Sequence, residues 1–327
     1  MNEVKSVKVV VTGGAGFIGS EFVRSLLRND YKEFGLIPSE VVVVDALTYA
    51  GNISNLKSIV SDNRYKFIEG DITDRDLMDT VTKDCQTLVN FAAESHVDRS
   101  IINSDIFIKT NVLGVHSVLE AAKKNFVNRV IQVSTDEVYG SIDNGSWTEE
   151  SPLLPNSPYA ASKASGDLLA RAFHQTYGLD VIITRCSNNF GPFQNREKLI
   201  PLIISNLLKG IDLPIYGDGS NIREWIHVSD HARAIAFLVN KGNAGEIYNI
   251  GSENWISNID LVKAIMDNFG KSNSKIINVP DRLGHDFRYS LDYQKISSLG
   301  FSVNGSFSSH LIETIEWYKS NLGWPNN

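Results

Sequence analysis

Apolar positions in the first half of the chain fall into short continuous blocks rather than into alternation. Residues 7–12, 41–44, 65–69, 87–91, 129–134 and 181–186 are such blocks. Continuous apolar, largely β-branched runs are the mark of strands buried on both faces of a parallel sheet. Helical periods separate several of them. Phe22, Val23, Leu26 and Leu27 repeat at helical spacing, and residues 104–124 and 158–177 are expected to form long helices. Strand and helix in alternation predict an α/β fold with a Rossmann-like, doubly wound parallel sheet. After residue 186 the text becomes loop-rich, with polar and aromatic residues mixed. A helix at 227–239 and a strand at 246–250 then return to the first pattern, and helices follow at 259–269 and 311–322. The expected division is a dinucleotide-binding domain at 1–186 plus about 226–250. A smaller, interleaved C-terminal substrate-binding domain takes 187–225 plus about 251–327. No internal repeat or low-complexity linker separates the two.

Composition changes this picture little. The 327 residues, 42% of them hydrophobic, suffice for one large and one small core. A net charge of -7 with no basic run argues against a cationic nucleic-acid face. Cys85 and Cys186 stand far apart in apolar surroundings and are expected as buried free thiols. His96 has no Cys, His or carboxylate neighbours at ligand spacing, so no metal site is expected. No secretory signal or apolar span is evident, and the expectation is a soluble cytoplasmic protein.

The candidate chemistry begins at the first strand. It runs into Gly13-Gly-Ala-Gly16-Phe-Ile-Gly19 and then a helix. Strand, glycines and helix in this order build a dinucleotide turn. One glycine makes the turn, one lets backbone approach a pyrophosphate, and one lets the helix pack on the strand. Asp45 ends the second strand, where a carboxylate accepts from an adenosine ribose and repels a 2′-phosphate, which favours NAD over NADP. The segment 31–40 is a surface insertion that lengthens the interval before it. Asp71 is placed to meet the adenine amine and Ile72 the ring, although Asp71 also suits a turn or helix cap. Small residues at Ala92 and Ala93 let a cofactor cross the sheet edge, and Thr110 and Asn111 follow on the next helix.

The acid-base groups cluster in two places. Residues 133–140 carry Ser134, Thr135, Asp136 and Glu137 at the carboxyl end of the fifth strand, the edge where parallel sheets bind ligands. Tyr159 and Lys163 follow, four residues apart on one helix face. A neighbouring ammonium favours the phenolate, so Lys163 is expected to lower the Tyr159 pKa toward that of a general base. Adjacent carboxylates serve acid and base when environment splits their pKa values. In the later segments Asn188 and Asn189 offer amides. Lys198 and Arg223 offer phosphate charge, Tyr216 an aromatic face, and Arg282 and His285 diphosphate contacts.

Taken together, these residues resemble the extended short-chain dehydrogenase/reductase superfamily and, within it, the 4,6-dehydratases of the NAD-dependent epimerase/dehydratase family. The likeness spans essentially the whole chain. It includes Thr12 to Gly19, Leu47-Thr-Tyr-Ala-Gly-Asn52, Ala92-Ala-Glu-Ser-His-Val-Asp-Arg-Ser100, Ser134-Thr-Asp-Glu-Val-Tyr-Gly140, Cys186-Ser-Asn-Asn-Phe-Gly-Pro192, Glu197-Lys-Leu-Ile-Pro201 and Asp281-Arg-Leu-Gly-His-Asp286. The Thr-Asp-Glu triplet discriminates, because related epimerases and decarboxylases share the glycines and the Tyr-Lys pair without it. Ala46, Phe193, Glu224 and Leu283 depart from the usual residues. The resemblance implies NAD retained through turnover, dTDP-glucose as substrate, and a homodimer built through a helix bundle. It further implies cofactor contacts from Phe17, Ile18, Leu47, Thr48, Ser95 and Asn189, with Tyr159 and Lys163 shared. Substrate contacts are implied from Ser95, Thr135, Leu199, Pro214 and Asn258. In the implied reaction Tyr159 deprotonates the sugar C4 hydroxyl, Thr135 binds the same oxygen, Glu137 takes the C5 proton, and protonated Asp136 expels the C6 hydroxyl as water. A nucleotide-sugar 4-epimerase or decarboxylase, a UDP-glucose 4,6-dehydratase, and a non-catalytic NAD-binding protein are the alternatives.

Overall fold

The computed structural model describes residues 7–281 and 283–324. Seven strands form one parallel sheet: β1 (Lys8–Thr12), β2 (Glu40–Asp45), β3 (Tyr65–Glu69), β4 (Thr87–Asn90), β5 (Arg129–Thr135), β6 (Val181–Cys186) and, after two thirds of the chain, Ile247–Ile250. Their spatial order places Ile247–Ile250 beside β6, then β5, β4, β1, β2 and β3. Chain order reverses between β1 and β4, which opens a crevice at their carboxyl ends.

Each apolar block serves both faces. Val9, Val11, Val41 and Val43 point into one core, while Val10, Val42 and Val44 point into the other. Helices Phe17–Leu27 and Val228–Lys241 cover the first face. Helices Arg75–Val81, Val115–Lys124 and Pro158–Tyr177 cover the second. Ile296 and Phe301, far along the chain, also join the first core.

A third core belongs to the later segments. It gathers Ile200, Ile203, Leu213, Trp225, Leu261, Ile265, Leu311 and Ile315. Here the expectation of loops between 187 and 225 is corrected. The segment contains β7 (Asn188–Phe190), helix Leu199–Lys209, β8 (Leu213–Tyr216) and β9 (Ile222–His227). With Ile247–Ile250 counted as β10, β11 (Trp255–Ser257) and β12 (Ile276–Val279) complete the set. β9 lies between β7 and β11, and β8 pairs with β12. These strands are three to six residues long, and β8 finds its partner some sixty residues away. Neither period nor proximity announces them.

The helix expected at 104–124 is also corrected. It is Asp105–Ile108, a π-helical turn at Lys109–Gly114, and Val115–Lys124. The wide turn swings Asn111 inward, where it is buried. Among the described residues no helix is long and apolar enough to cross a membrane.

Polar contacts inside the sheet align its carboxyl edge. Thr12 Oγ1 donates to Asn90 Oδ1 at 2.6 Å, and Asn90 Nδ2 donates to Gln132 Oε1 at 2.8 Å. Deeper still, Arg185 of β6 pairs with Asp167 at 2.9 Å, both side chains at most 3% exposed. Asp167 lies on helix Pro158–Tyr177. Removing one partner of such a pair leaves a buried charge uncompensated, which costs about 3–5 kcal/mol. Asp167→Asn is therefore expected to lower unfolding free energy by about that amount. Urea titration of wild type and variant measures it, and an unchanged midpoint would contradict the role given to the pair.

Candidate active site

The crevice is built around two glycines that can be nothing else. Gly13 has φ +70°, and a Cβ there would meet the backbone of Ala92 at 2.5 Å. At Gly19 a Cβ would meet the carbonyl oxygen of Gly13 at 2.3 Å. Ala92 is thus consumed in packing the β1 turn against the end of β4. Gly16 differs: the nearest atom to a Cβ is 3.2 Å away, in an ordinary extended conformation. Gly16 faces the cavity with Phe17, Ile18 and Gly19. Helix Phe17–Leu27 has no side-chain N-cap and no acidic residue in its first turn, so its leading N–H groups suit an anion. The residues present fit a dinucleotide pyrophosphate.

Asp45 is buried and already engaged. Its oxygens accept from Ala15 N and Leu47 N, each at 2.9 Å, and burial raises its pKa. Leu47 itself takes φ +48°. Asp71 closes a turn by accepting from Thr73 N at 2.9 Å and meets Lys109 Nζ at 3.4 Å. Ile72 is buried in the second core beneath Gly114. Asp45, Leu47, Thr48, Asp71, Ile72 and Thr110 stand off this cavity, whereas Ala93, Ser95 and Ser134 line it. The inward Asn111 accepts from Glu94 N and donates to Glu94 O, holding the Ala93–Ser95 backbone against the sheet edge.

Thr135, Asp136, Glu137, Tyr159 and Lys163 all line this cavity. Ser157 caps helix Pro158–Tyr177 by accepting from Ala160 N, and Pro158 sits in its first turn, where the missing N–H costs nothing. Tyr159 therefore lies at the helix entrance, directly beneath the end of β5. Thr135 Oγ1 donates to Asp136 Oδ1 at 3.1 Å and accepts from Glu137 N at 3.3 Å. Asp136 is 3% exposed and its Oδ2 has no partner. Burial, then Glu137 and Glu224, push its pKa well above the carboxylate range. Burial thus favours the protonated form of Asp136.

Lys163 Nζ donates to the Val133 carbonyl at 2.7 Å, and burial lowers its pKa. Burial and the charge of Glu137 raise the Tyr159 pKa, and the Thr135 hydroxyl lowers it. Tyr159 and Lys163 both line the cavity from one helix.

A second cavity adjoins the first and shares Glu137, Asn188, Asn189 and Lys198 with it. Leu199, Pro214, Tyr216, Arg223, Asn258 and His285 line it. Arg282 lies outside the described residues. Lys198 Nζ donates to Ser95 O at 3.0 Å. Arg223 donates to the carbonyls of Ile222, Asp286 and Phe287 and lies over the Tyr289 ring. Tyr216 OH donates to Asp98 at 3.4 Å, and His285 meets Asp281 at 2.6 Å. His96 caps helix Val97–Ile102 and approaches Glu197 at 3.6 Å.

Several residues in or beside the two walls carry no role that the sequence suggested. Gln194, Asn195 and Glu197 line the main cavity. Tyr49 lies under the Arg99 guanidinium at 4.0 Å and meets Ser95 Oγ at 3.3 Å. Glu224, fully buried, accepts from Ser252, Glu253 and Leu291 N–H groups behind Asp136. Charged residues within loop-like text were the available signal.

The two kinds of glycine separate experimentally. Gly16→Ala is expected to fold normally and to bind dinucleotide at least tenfold more weakly, about 1.4 kcal/mol. Gly19→Ala is expected to lose thermal stability outright. Circular dichroism melting and fluorescence titration with NADH distinguish them, and a Gly16→Ala protein with full affinity would refute the placement of the pyrophosphate.

Comparison with known proteins supplies the relationship. A dTDP-glucose 4,6-dehydratase of Streptomyces niveus is 51% identical over 319 residues, 97% of this chain and 94% of that protein. The crystal structure of DesIV (dTDP-glucose 4,6-dehydratase) from Streptomyces venezuelae, with NAD and TYD bound, superposes with a TM-score of 0.95 at 54% identity, covering 97% of this chain and 98% of that one. UDP-glucose 4-epimerase of Thermotoga maritima shares the fold at TM-score 0.88 and 29% identity, over 97% of this chain and 100% of its own. The family model described as GDP-mannose 4,6 dehydratase matches residues 10–314, and with relatives half identical over nearly its full length the chain belongs to that family of NAD-dependent sugar-nucleotide dehydratases.

Proposed function

We propose that the protein converts dTDP-glucose to dTDP-4-keto-6-deoxyglucose and water. The observation that carries this is the Asp136–Glu137 pair, set where the two cavities meet, with Asp136 sealed in a site that keeps its proton. An epimerase needs no such pair. The relatives named for the dTDP-sugar support the nucleotide.

NAD fits the first cavity, where Gly13, Gly16, Ser95, Ser134 and Lys163 would hold it, and when bound it takes the C4 hydrogen and later returns it at C6. The second cavity, with Lys198, Arg223 and Tyr216, takes the nucleotide. Tyr159 removes the C4 hydroxyl proton, and the Thr135 hydroxyl holds the same oxygen. Lys163, anchored on the Val133 carbonyl, is placed for the nicotinamide ribose. A ketone at C4 acidifies C5, and Glu137 takes the C5 proton. Asp136 gives its proton to the C6 hydroxyl, which departs as water, and Glu137 returns a proton to C5. The overall change is redox-neutral.

The same reading includes a homodimer. Ile102, Ile106, Leu113 and Leu168 leave apolar surface exposed on the helices that flank the Tyr-Lys helix and on that helix itself, more than a solvated face requires. We also place the protein in the cytoplasm, where the buried free thiols of Cys85 and Cys186 persist.

Mass spectrometry of the product from dTDP-glucose and UDP-glucose tests the activity directly, with loss of water expected from the former. A general acid or base contributes about 10²–10⁴-fold. Asp136→Asn and Glu137→Gln are each expected to slow water loss by that range while NAD stays bound. Wild-type turnover should fall on the alkaline side as Asp136 loses its proton, and Asp136→Asn should lack that limb. Full dehydration by both variants would end the assignment. For the dimer, light scattering is expected to show two chains in the wild type and one in Leu168→Glu, and a wild-type monomer would exclude it.

A further inference from the structure

Asn189 belongs to the wall shared by both cavities, yet its side chain is spent inside that wall. Asn189 Nδ2 donates to Ser187 O at 3.0 Å and to Cys186 Sγ at 3.5 Å. Its Oδ1 lies 2.9 Å from Nδ1 of His231, a fully buried residue in the first turn of helix Val228–Lys241. Turning the amide over would set two carbonyl oxygens against each other at Ser187, so Oδ1 must face the imidazole. Oδ1 can only accept, and His231 Nδ1 therefore carries a hydrogen. The other ring nitrogen, Nε2, is buried without a partner. Burial lowers the His231 pKa to about 3, so the ring is neutral at working pH, with its one proton on Nδ1.

The same short segment is held twice more. Gln194 Nε2 donates to Asn189 O at 2.8 Å, and Asn189 pairs with Ile226 in the β7–β9 register. What this clamp presents is Asn188, which faces both cavities and whose Oδ1 is buried with no protein partner. An unpartnered buried acceptor at the junction is a waiting contact for a hydroxyl or N–H donor of a ligand.

We infer that His231 is a positioning residue for the sugar nucleotide: it donates to Asn189, and Asn189 in turn fixes the link from Ser187 into β7 so that the Asn188 amide meets the ligand. His231 touches no reacting atom. The inference rests on the dehydratase reading for the identity of the ligand. Leaving a buried acceptor unsatisfied is costly, so this segment relaxes when the donor is lost.

His231→Leu removes the donor, whereas His231→Asn keeps an amide N–H near the Nδ1 position. Calorimetry with dTDP, which is not turned over, reads the effect apart from catalysis, and KM and kcat for dTDP-glucose follow. His231→Leu is expected to bind dTDP about tenfold more weakly, to raise KM similarly, and to keep kcat within about threefold. His231→Asn is expected to recover most of the affinity. A folded His231→Leu with wild-type affinity, or a folded His231→Asn as impaired as His231→Leu, overturns the inference. Should His231→Leu not fold, His231→Gln, whose N–H lies one bond further out, takes its place with the same expectation of weakened dTDP. A wild type that binds dTDP but yields no keto sugar would sink the dehydratase reading and leave the clamp to be judged on binding alone.

Discussion

The ion pair between Arg185 and Asp167 holds the active site in register. Arg185 comes from β6 and Asp167 from the helix that carries Tyr159 and Lys163. Arg185 also donates to Tyr139 OH at 2.8 Å, and Tyr139 donates to Asn249 Oδ1 at 2.8 Å. Tyr139 closes the turn that begins with Asp136 and Glu137, and Asn249 lies on β10. One buried cation thus ties the carboxylate turn, the Tyr-Lys helix and the sheet edge together. Such a network tolerates no missing member, because each unpaired polar group would sit where water cannot reach it. That rigidity keeps five side chains from three elements within reach of one small substrate.

Desolvation then sets the chemistry. It raises Asp136 and Tyr159 together, while Glu137 at the cavity junction is less deeply buried. Glu224, packed behind Asp136 and satisfied by three backbone N–H groups, adds to the pressure on its proton. Adjacent carboxyl groups can serve as acid and base when their surroundings differ, whatever their types. The Thermotoga maritima epimerase shows that the fold does not decide the reaction, since it superposes almost as well as the dehydratases do.

The division between the two cavities follows from the chain's path. The large sheet offers a crevice where β1 and β4 diverge, and the third core leans over it with Lys198, Arg223 and Tyr216. Residues 194–198 form the seam, where Lys198 reaches back to the Ser95 carbonyl. The two cavities are therefore lined by different parts of the chain, joined at that seam.

Local patterning announced the parallel sheet, the glycine turn and the helix from Pro158 to Tyr177, and it singled out the five residues proposed for acid-base work. Each is written in contiguous residues: β-branched runs, glycines at fixed offsets, a Ser-Pro cap, an i,i+4 pair. The short strands after residue 186 and the π-helical turn at Lys109–Gly114 left no such trace, because their stability comes from partners distant in the chain. The same holds for the site's finer chemistry. The direction in which Asp136 and Tyr159 are shifted, where Lys163 donates and how Asn189 meets His231 all depend on burial. Burial is a property of the assembled volume, and no single stretch of sequence carries it.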